Sequence, residues 1–232
     1  MQARMSRSIA IGTIVIAQGV AGWLAFQATY AGTPTFWLLA GGPTLALAVV
    51  ALVRGHRDGV LGEWLTPRGG DFTLGVFAAA LTFAGAYAFA KIVCAPGSPR
   101  EIWLIRLYLQ LGDLEEIHAH STKILVGIIA VAAAEEIVWR GLVRRLFEEG
   151  FGSSSAWILQ AFAYAAAYTP TMFALSPAPH AVDPILPIAS LGAGLLWGFV
   201  SRRSGRLVPV IVAHALFDWA VVVMFRLWGG SL

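Results

Sequence analysis

Three ionisable residues, Glu135, Glu136 and Arg140, lie late in an apolar run that extends from Ile124 to Trp139. Each charge at mid-helix depth in a bilayer costs about 2.5–3.5 kcal/mol, so charges inside such a run usually serve function. The alternative is a helix that leaves the bilayer early. Glu136 and Arg140 have the i,i+4 spacing of a supporting ion pair, whereas Glu135 points about 100° away around the helix. We therefore predict that Glu135 is the reactive group, a desolvated carboxylate that acts as a general base.

Further polar residues lie in later apolar runs. Tyr164 and Tyr168 are one helical turn apart, and so are His214 and Asp218. Counted from the nearest arginines, Glu135 lies about 13 Å and His214 about 12 Å from the same membrane face. We expect these two groups to meet in the cytoplasmic half of the membrane, with cytoplasmic access. His214 and Asp218 could then stabilise a developing oxyanion.

The two tyrosines are harder to place from spacing alone. Counted from Ser153, Tyr168 lies about 22 Å into its helix, deeper than Glu135. Tyr168 is therefore balanced between a site residue and a core residue, and Tyr164 is interpreted as packing.

A metal site is one alternative for this cluster. Glu135, His214 and Asp218 could supply the three protein ligands of a catalytic zinc ion. The sequence lacks the spacing of a His-Glu-x-x-His motif, and we expect no metal and no cofactor. A serine hydrolase would need a nucleophile motif such as Gly-x-Ser-x-Gly, which is absent, and Ser190 has no such context.

The composition is that of a polytopic membrane protein. The 232 residues are 58% hydrophobic and 12% charged, against about 25% charged in soluble domains, and the mean hydropathy is +0.72. Cys94 is the single cysteine, which excludes an intramolecular disulfide and a multi-cysteine metal site. Basic residues lie at segment ends and not in one stripe, so we expect a lipid bilayer and a peptide as partners, and no nucleic acid.

Apolar runs predict an all-α bundle of about seven transmembrane helices, within a range of six to eight. The predicted spans are residues 8–30, 36–53, 72–93, 121–147, 153–175, 185–200 and 207–227. They form one domain, residues 1–232, with three spans in 1–94, a loop in 95–120 that holds an interfacial or re-entrant helix, and four spans in 121–232.

The distribution of basic residues predicts a cytoplasmic N-terminus. In that orientation, the inside segments carry Arg4, Arg7, Arg54, Arg57, Arg68, Arg144, Arg145, Arg202, Arg203 and Arg206. The outside segments carry the smaller set of Lys91, Arg100, Arg106, Lys123 and Arg226.

The motifs resemble those of the CPBP intramembrane proteases, the CAAX-protease, Abi and bacteriocin-processing family. Glu135, Glu136 and Arg140 match its Glu-Glu-x-x-x-Arg motif, and His214 and Asp218 match its His-x-x-x-Asn or Asp motif. The turn at residues 203–209 is also similar, and the resemblance covers about residues 125–222. It implies a metal-independent glutamic endopeptidase, here in a bacterial inner membrane. The leading Glu and a middle-motif His would activate water, and the last His and Asn or Asp would hold the oxyanion.

The middle motif departs from the family. Where the family has Phe-x-x-x-His, this chain has Tyr164 and Tyr168. A phenol cannot shuttle protons at neutral pH as an imidazole does, and His118, His120 and His180 lie outside the predicted spans. Two hypotheses follow: an active variant in which Tyr168 orients the water, or a degenerate scaffold or immunity-type binding protein. A small transporter is a further alternative, although an odd number of spans without an inverted repeat argues against it.

Overall fold

A computed structural model describes residues 2–176, 178, 181–225 and 227. These described residues form helices and no strand. The helices are α1 (Gln2–Ala25), α2 (Pro34–Arg57), α3 (Leu61–Leu65), α4 (Asp71–Ile92), α5 (Glu101–Leu111), α6 (Leu114–Ala119), α7 (Ser121–Glu136), α8 (Arg144–Phe151), α9 (Ser153–Tyr168), α10 (Thr171–Ala174), α11 (Ile185–Ser204) and α12 (Val208–Trp219). A 3₁₀ turn covers Ala28–Tyr30, and π-helical segments cover Ile137–Val143 and Ala220–Met224.

Four of the described helices are long and apolar enough to cross a membrane. They are Met5–Ala25, Pro34–Arg57, Asp71–Ile92 and Ile185–Ser204, and Val208–Met224 is a shorter apolar helix. Large apolar side chains on α1, α2 and α4 face outward, including Ile16, Leu38 and Phe77, as expected of surfaces that contact lipid. The chain is therefore an all-helical integral membrane protein, and four of the seven predicted spans coincide with helices that are long and apolar enough to cross a membrane.

Local sequence explains where these helices begin and end. Thr33 accepts a hydrogen bond from the Phe36 amide at the start of α2, and Pro34 occupies the first turn, where its missing N–H costs nothing. Gly152 adopts a φ of 76° between α8 and α9. That conformation suits a residue without Cβ, so it allows the chain to turn from one helix into the next.

The helix that carries the acidic pair is longer than the predicted 121–147. α7, the π-helical segment and α8 are continuous from Ser121 to Phe151. The run predicted as 153–175 divides into α9 and α10 on either side of Pro170, as its proline suggests.

The stretch 95–120 contains two short helices, whereas the sequence predicted one. α5 agrees with the predicted non-spanning helix and is packed, with Leu104 and Tyr108 buried. The Tyr108 hydroxyl donates a hydrogen bond to the Val221 carbonyl at 3.0 Å, which ties α5 to the end of the chain's last described helix. α6 was not predicted.

Close helix packing positions the elements of the site. α9 packs along α11, and α4 packs along α12. A Cβ atom on Gly75 would lie 2.7 Å from the Val212 side chain, and one on Gly194 would lie 3.1 Å from Ala161 Cβ. Small residues at such crossings allow the backbones to approach, as is common between transmembrane helices.

Ion pairs gather at one end of the bundle, which we call the arginine end. Its charged residues include Arg7, Arg54, Asp58, Asp71, Arg144, Arg145, Glu148, Glu149 and Arg206. Arg54 lies 3.4 Å from Glu149, and Arg206 pairs with the buried Asp71. α5 and α6 lie toward the opposite end. Arg226 and His180, which were assigned to outside segments, lie outside the described residues.

Candidate functional site

Glu135 is held by two tyrosines of α9. The Tyr164 hydroxyl donates to Glu135 Oε2 at 2.6 Å, and the Tyr168 hydroxyl donates to Oε1 at 2.8 Å. Glu135 as a whole residue is 7% exposed. Since an ionised carboxylate has about four lone-pair sites, both oxygens can still accept a bond from a water molecule. The interpretation of Tyr164 as a packing residue was therefore incomplete, because its ring packs while its hydroxyl binds Glu135.

Glu136 is part of a separate buried network. Arg140 Nη1 donates to Glu136 Oε1 at 2.9 Å, as the i,i+4 spacing predicted. His214 Nδ1 lies 2.8 Å from the same oxygen, and His214 Nε2 lies 3.3 Å from Asp218 Oδ2. Glu136 and Arg140 are fully buried, whereas the Asp218 side chain is 31% exposed. The two adjacent acids thus have different partners.

Aromatic rings surround this network. The Trp197 ring lies 4.3 Å from the His214 ring, centroid to centroid. The Arg140 guanidinium lies 4.7 Å from the Tyr164 ring and 5.4 Å from the Trp197 ring. Arg140 Nε and Nη2 have no hydrogen-bond partner among the described residues, so these ring faces add cation–π stabilisation to the ion pair with Glu136. Thr82 of α4 accepts a hydrogen bond from Trp197 Nε1 at 3.0 Å and fixes that ring.

A π-helical segment begins directly after Glu136. It covers Ile137–Val143 and contains Arg140, and all seven of its residues are buried. π-helical turns inside α-helices are uncommon and frequently occur at functional sites. Another π-helical segment, Ala220–Met224, starts two residues after Asp218. Both motif-bearing helices therefore change their winding next to the site.

The predicted difference in depth between Tyr168 and Glu135 was wrong. The depth of Glu135 was counted from Arg144, but its helix continues to Phe151. Measured from Phe151, Glu135 lies about 24 Å from the helix end, and Tyr168 lies about 22 Å from Ser153. The two residues are therefore at nearly the same level, which accounts for their contact.

A large cavity of about 930 Å³ reaches Glu135. Apolar side chains dominate its lining, its charged residues are Lys123, Glu135 and Asp218, and its polar residues include Gln18, Thr82, Tyr108 and Tyr168. The expected cavity lay among the last four spans, but residues of α1, α2, α4 and α5 line it as well.

The cavity lies on the side of Glu135 that faces away from the arginine end. On α7 its lining starts at Lys123 and passes Glu135, and on α9 it includes only Ala167 and Tyr168. The expected cytoplasmic access therefore requires that the end of the bundle opposite the arginine end face the cytoplasm. The depth count along single helices carried no information about where the open space lies.

Several polar residues of the site were not predicted. Arg144 Nη1 donates to Ser201 Oγ at 2.8 Å, one turn beyond Arg140 toward the arginine end. Gln160 is fully buried one turn before Tyr164, and neither of its amide atoms has a hydrogen-bond partner among the described residues. The i,i+4 spacing of Gln160 with Tyr164 was the available signal.

Two further histidines, His118 and His120, bind main-chain groups. His118 Nε2 lies 3.0 Å from the Val223 carbonyl oxygen, and His120 Nδ1 lies 3.2 Å from that of Glu116. Within the described part of the chain, no group of three His, Cys, Asp or Glu side chains could hold a metal ion. Glu135, His214 and Asp218 do not form such a group.

Comparison with known proteins finds one family to which part of the chain is similar. Residues 119–220 match the profile described as "Type II CAAX prenyl endopeptidase Rce1-like". No curated protein and no solved structure matches the chain. The matched region contains both motifs and both tyrosines, from Glu135 to Asp218. Through these residues the chain is similar to the CAAX protease family.

Proposed function

We propose that the protein is an intramembrane glutamate-type endopeptidase that hydrolyses a membrane-proximal peptide or protein tail. The observation that carries this proposal is Glu135, a carboxylate held by two phenol hydroxyls at the inner end of a large apolar cavity. A prenylated tail is one candidate substrate. In this proposal α7–α8, α9 and α12 complete a seven-span single domain in a bacterial inner membrane, with the N-terminus in the cytoplasm.

Glu135 starts the reaction as a general base. It takes a proton from a water molecule, and the hydroxide attacks the carbonyl carbon of the scissile peptide bond. The tetrahedral intermediate then collapses, the C–N bond breaks, and the proton held by Glu135 passes to the leaving amine. One water and one amide give one carboxylate and one amine, so the step balances without an oxidant, a reductant or a group donor. The Tyr164 and Tyr168 hydroxyls fix the rotamer of Glu135 and the direction of its free lone pairs.

His214 supplies the oxyanion donor in this mechanism. Both of its ring nitrogens face carboxylate oxygens, an arrangement suited to a ring with N–H groups at both positions. Asp218 lines the cavity and lies at 3.3 Å from Nε2. When the substrate carbonyl approaches, a small movement of Asp218 frees the Nε2–H group to donate to the oxyanion.

Glu136 and Arg140 serve as a positioning pair. Glu136 Oε1 accepts hydrogen bonds from both Arg140 Nη1 and His214 Nδ1, so one oxygen links the two motif-bearing helices. This bond holds the His214 ring in a fixed orientation. The charge of Glu136 also balances the buried Arg140, which leaves Glu135 free for catalysis.

A non-catalytic binding protein of the same fold is the second candidate. The observation that favours it is that tyrosine hydroxyls bind both oxygens of Glu135, and that Tyr168 stands where the family has a proton-shuttling histidine. In such a protein the cavity would bind a peptide, and the tyrosines would keep Glu135 from activating water.

Cleavage and binding assays separate these candidates. The purified protein, in detergent and in lipid vesicles, is incubated with a library of membrane-anchored peptides, and products are identified by mass spectrometry. The matched variants are Glu135→Gln and Glu115→Gln, the latter an exposed acid on α6. If the protein is a protease, the wild type and Glu115→Gln cleave the peptides, whereas Glu135→Gln does not. Binding without cleavage in all three proteins would favour the scaffold.

A further inference from the structure

We infer that Gln18 of α1 binds the main chain of the substrate beside the scissile bond. Its side-chain amide pairs with the main-chain N–H and C=O groups of one residue of an extended peptide. This inference rests on the proposed function and adds a substrate-binding residue that lies outside the matched residues 119–220.

Gln18 is a polar group in an apolar wall of the cavity. The other lining residues described on α1 and α2 are glycine, alanine, leucine, phenylalanine and tryptophan. Gln18 Nε2 donates to Thr44 Oγ1 at 2.9 Å, and Thr44 Oγ1 lies 3.2 Å from Gln18 Oε1. Thr44 is 1% exposed and holds the amide from behind. Since an amide carries two N–H groups and an oxygen with two lone pairs, these contacts leave one N–H group and one lone pair for a ligand.

Thr44 lies at nearly the same level as Glu135. α2 and α7 cross where a Cβ atom on Gly41 would lie 2.8 Å from Val131 Cγ2. Both helices run from that point toward the arginine end. Three residues lead to Thr44 and four lead to Glu135, which is a rise of about 4.5 Å and about 6 Å. The partner that holds Gln18 is therefore level with the proposed catalytic base.

A second helix crossing gives the same level for Gln18 itself. A Cβ atom on Gly19 would lie 3.4 Å from the Ala167 carbonyl oxygen, so α1 crosses α9 one residue before Tyr168. Gln18 directly precedes Gly19, and Tyr168 donates its hydroxyl to Glu135. Two independent crossings thus bring the amide of Gln18 to the depth of Glu135.

Gln18 and the proposed oxyanion donor approach the cavity from different sides. α1 packs against α2 and α9, whereas α12, which carries His214, packs against α7 and α11. Glu135 is on α7, and α2 packs between α1 and α7. A main chain that passes Glu135 can therefore meet His214 on one side and Gln18 on the other.

The chemistry of a peptide explains why such a residue is needed. Main-chain N–H and C=O groups that leave water for an apolar cavity need new hydrogen-bond partners. The side chain of Gln18 presents a donor and an acceptor on one amide, the same pair that a neighbouring β-strand offers to an extended peptide. It can therefore bind one substrate residue through its main chain, whatever the side chain of that residue.

Backbone ester substitution tests this contact. Peptides of the membrane-anchored library that bind Glu135→Gln are remade with one amide at a time replaced by an ester, which removes one N–H group. In Glu135→Gln we expect one position to lose about fivefold in affinity. With Gln18→Leu added, the unmodified peptide should bind about fivefold more weakly and the ester at that position should have no further effect. Gln27→Leu is the control, because Gln27 bonds to the Trp23 carbonyl and is not a lining residue.

Two further measurements complete the test. In the wild-type background, Gln18→Leu should lower kcat/KM for cleavage by about fivefold, and Gln27→Leu should not. Thr44→Val, which removes only the hydroxyl behind Gln18, should reduce the ester effect and replaces Gln18→Leu if that variant does not fold.

The outcomes separate this contact from the protease itself. An ester effect that is unchanged in Gln18→Leu, or the absence of any ester-sensitive position, would overturn the inference. Failure of every library peptide to bind would also overturn it. A Gln18-dependent ester effect without any cleavage by wild type would refute the protease but not the contact.

Discussion

The Tyr168 hydroxyl donates a hydrogen bond of 2.8 Å to Glu135 Oε1, at the motif position where the family has a histidine. The side chain thus reaches the proposed catalytic base, although it cannot take up a proton from it at neutral pH. It can orient Glu135 and the water that Glu135 activates. We therefore predict that Tyr168 orients Glu135 at this position and does not transfer protons.

Replacing Tyr168 tests that role. Tyr168→Phe removes the hydroxyl and leaves the ring, and we expect kcat for peptide cleavage to fall by roughly tenfold or more because Glu135 loses one of its two orienting bonds. Tyr168→His should retain more activity than Tyr168→Phe, since an imidazole can bind Glu135 and also transfer protons. Initial rates at saturating substrate provide the measurement. Equal rates for Tyr168→Phe and wild type would show that the hydroxyl has no catalytic role.

Short-range pairs of the site could be predicted from the sequence. Glu136 with Arg140 and His214 with Asp218 follow from i,i+4 spacing, because one turn of helix brings such side chains together whatever the surroundings. The contacts between helices could not be derived in this way. Glu136 and His214 are 78 residues apart in the sequence, and only the packing of α7 against α12 brings them together.

The length of the helices and the position of the cavity could also not be predicted from the sequence. No residue pattern marks the π-helical segment at Ile137–Val143, and the polar sequence at Glu148 and Glu149 suggested an earlier helix end. Tyr164 looks like a core aromatic in an apolar run, since its ring does pack beside Trp139. Its hydroxyl contact depends on the level of the neighbouring helix.

Loss of Glu136 is predicted to destabilise the protein strongly. Glu136→Gln leaves Arg140 fully buried without its counter-charge, and such breakage typically costs about 3–5 kcal/mol. Glu135→Gln should change stability by less than about 1 kcal/mol, because an amide can still bond to both tyrosines. Unfolding in detergent, followed by circular dichroism, compares the two variants. Equal destabilisation would contradict the division of roles between the acids.

A buried acid outside the spans predicts a pH dependence of stability. Asp183 precedes α11, is fully buried, and accepts a hydrogen bond from the Ile185 amide at 3.1 Å. Burial raises the pKa of this carboxyl from 3.8 to about 6. The folded protein therefore retains the Asp183 proton over a pH range in which the unfolded chain has released it.

The sign of the effect follows from proton linkage. Between pH 3.8 and about 6 the folded state binds more protons, so stability falls as pH rises through this window, by up to about 3 kcal/mol, and then stays constant. Asp183→Asn keeps an acceptor for the Ile185 amide but has no proton to lose. We expect its unfolding temperature, relative to wild type, to rise with pH over this range. A constant difference between the two proteins would show that Asp183 titrates normally.

The orientation of the chain can be tested by cysteine labelling. Cys94 is the single cysteine and is buried, so a Cys94→Ala background can carry new cysteines at chosen positions. Lys123→Cys should react with a membrane-impermeant maleimide added outside intact cells, and Arg145→Cys should react only after lysis. The reverse labelling pattern would place the arginine end outside and the cavity toward the cytoplasm.

The most direct test of the central claim is the rate of peptide cleavage by Glu135→Gln, measured in a single-turnover experiment at saturating enzyme. General base catalysis contributes about 10²–10⁴-fold to rates, so we predict a loss of at least a hundredfold for Glu135→Gln with the fold intact. Glu115→Gln should cleave at the wild-type rate. A Glu135→Gln protein that cleaves within a few fold of wild type would show that Glu135 does not activate the attacking water.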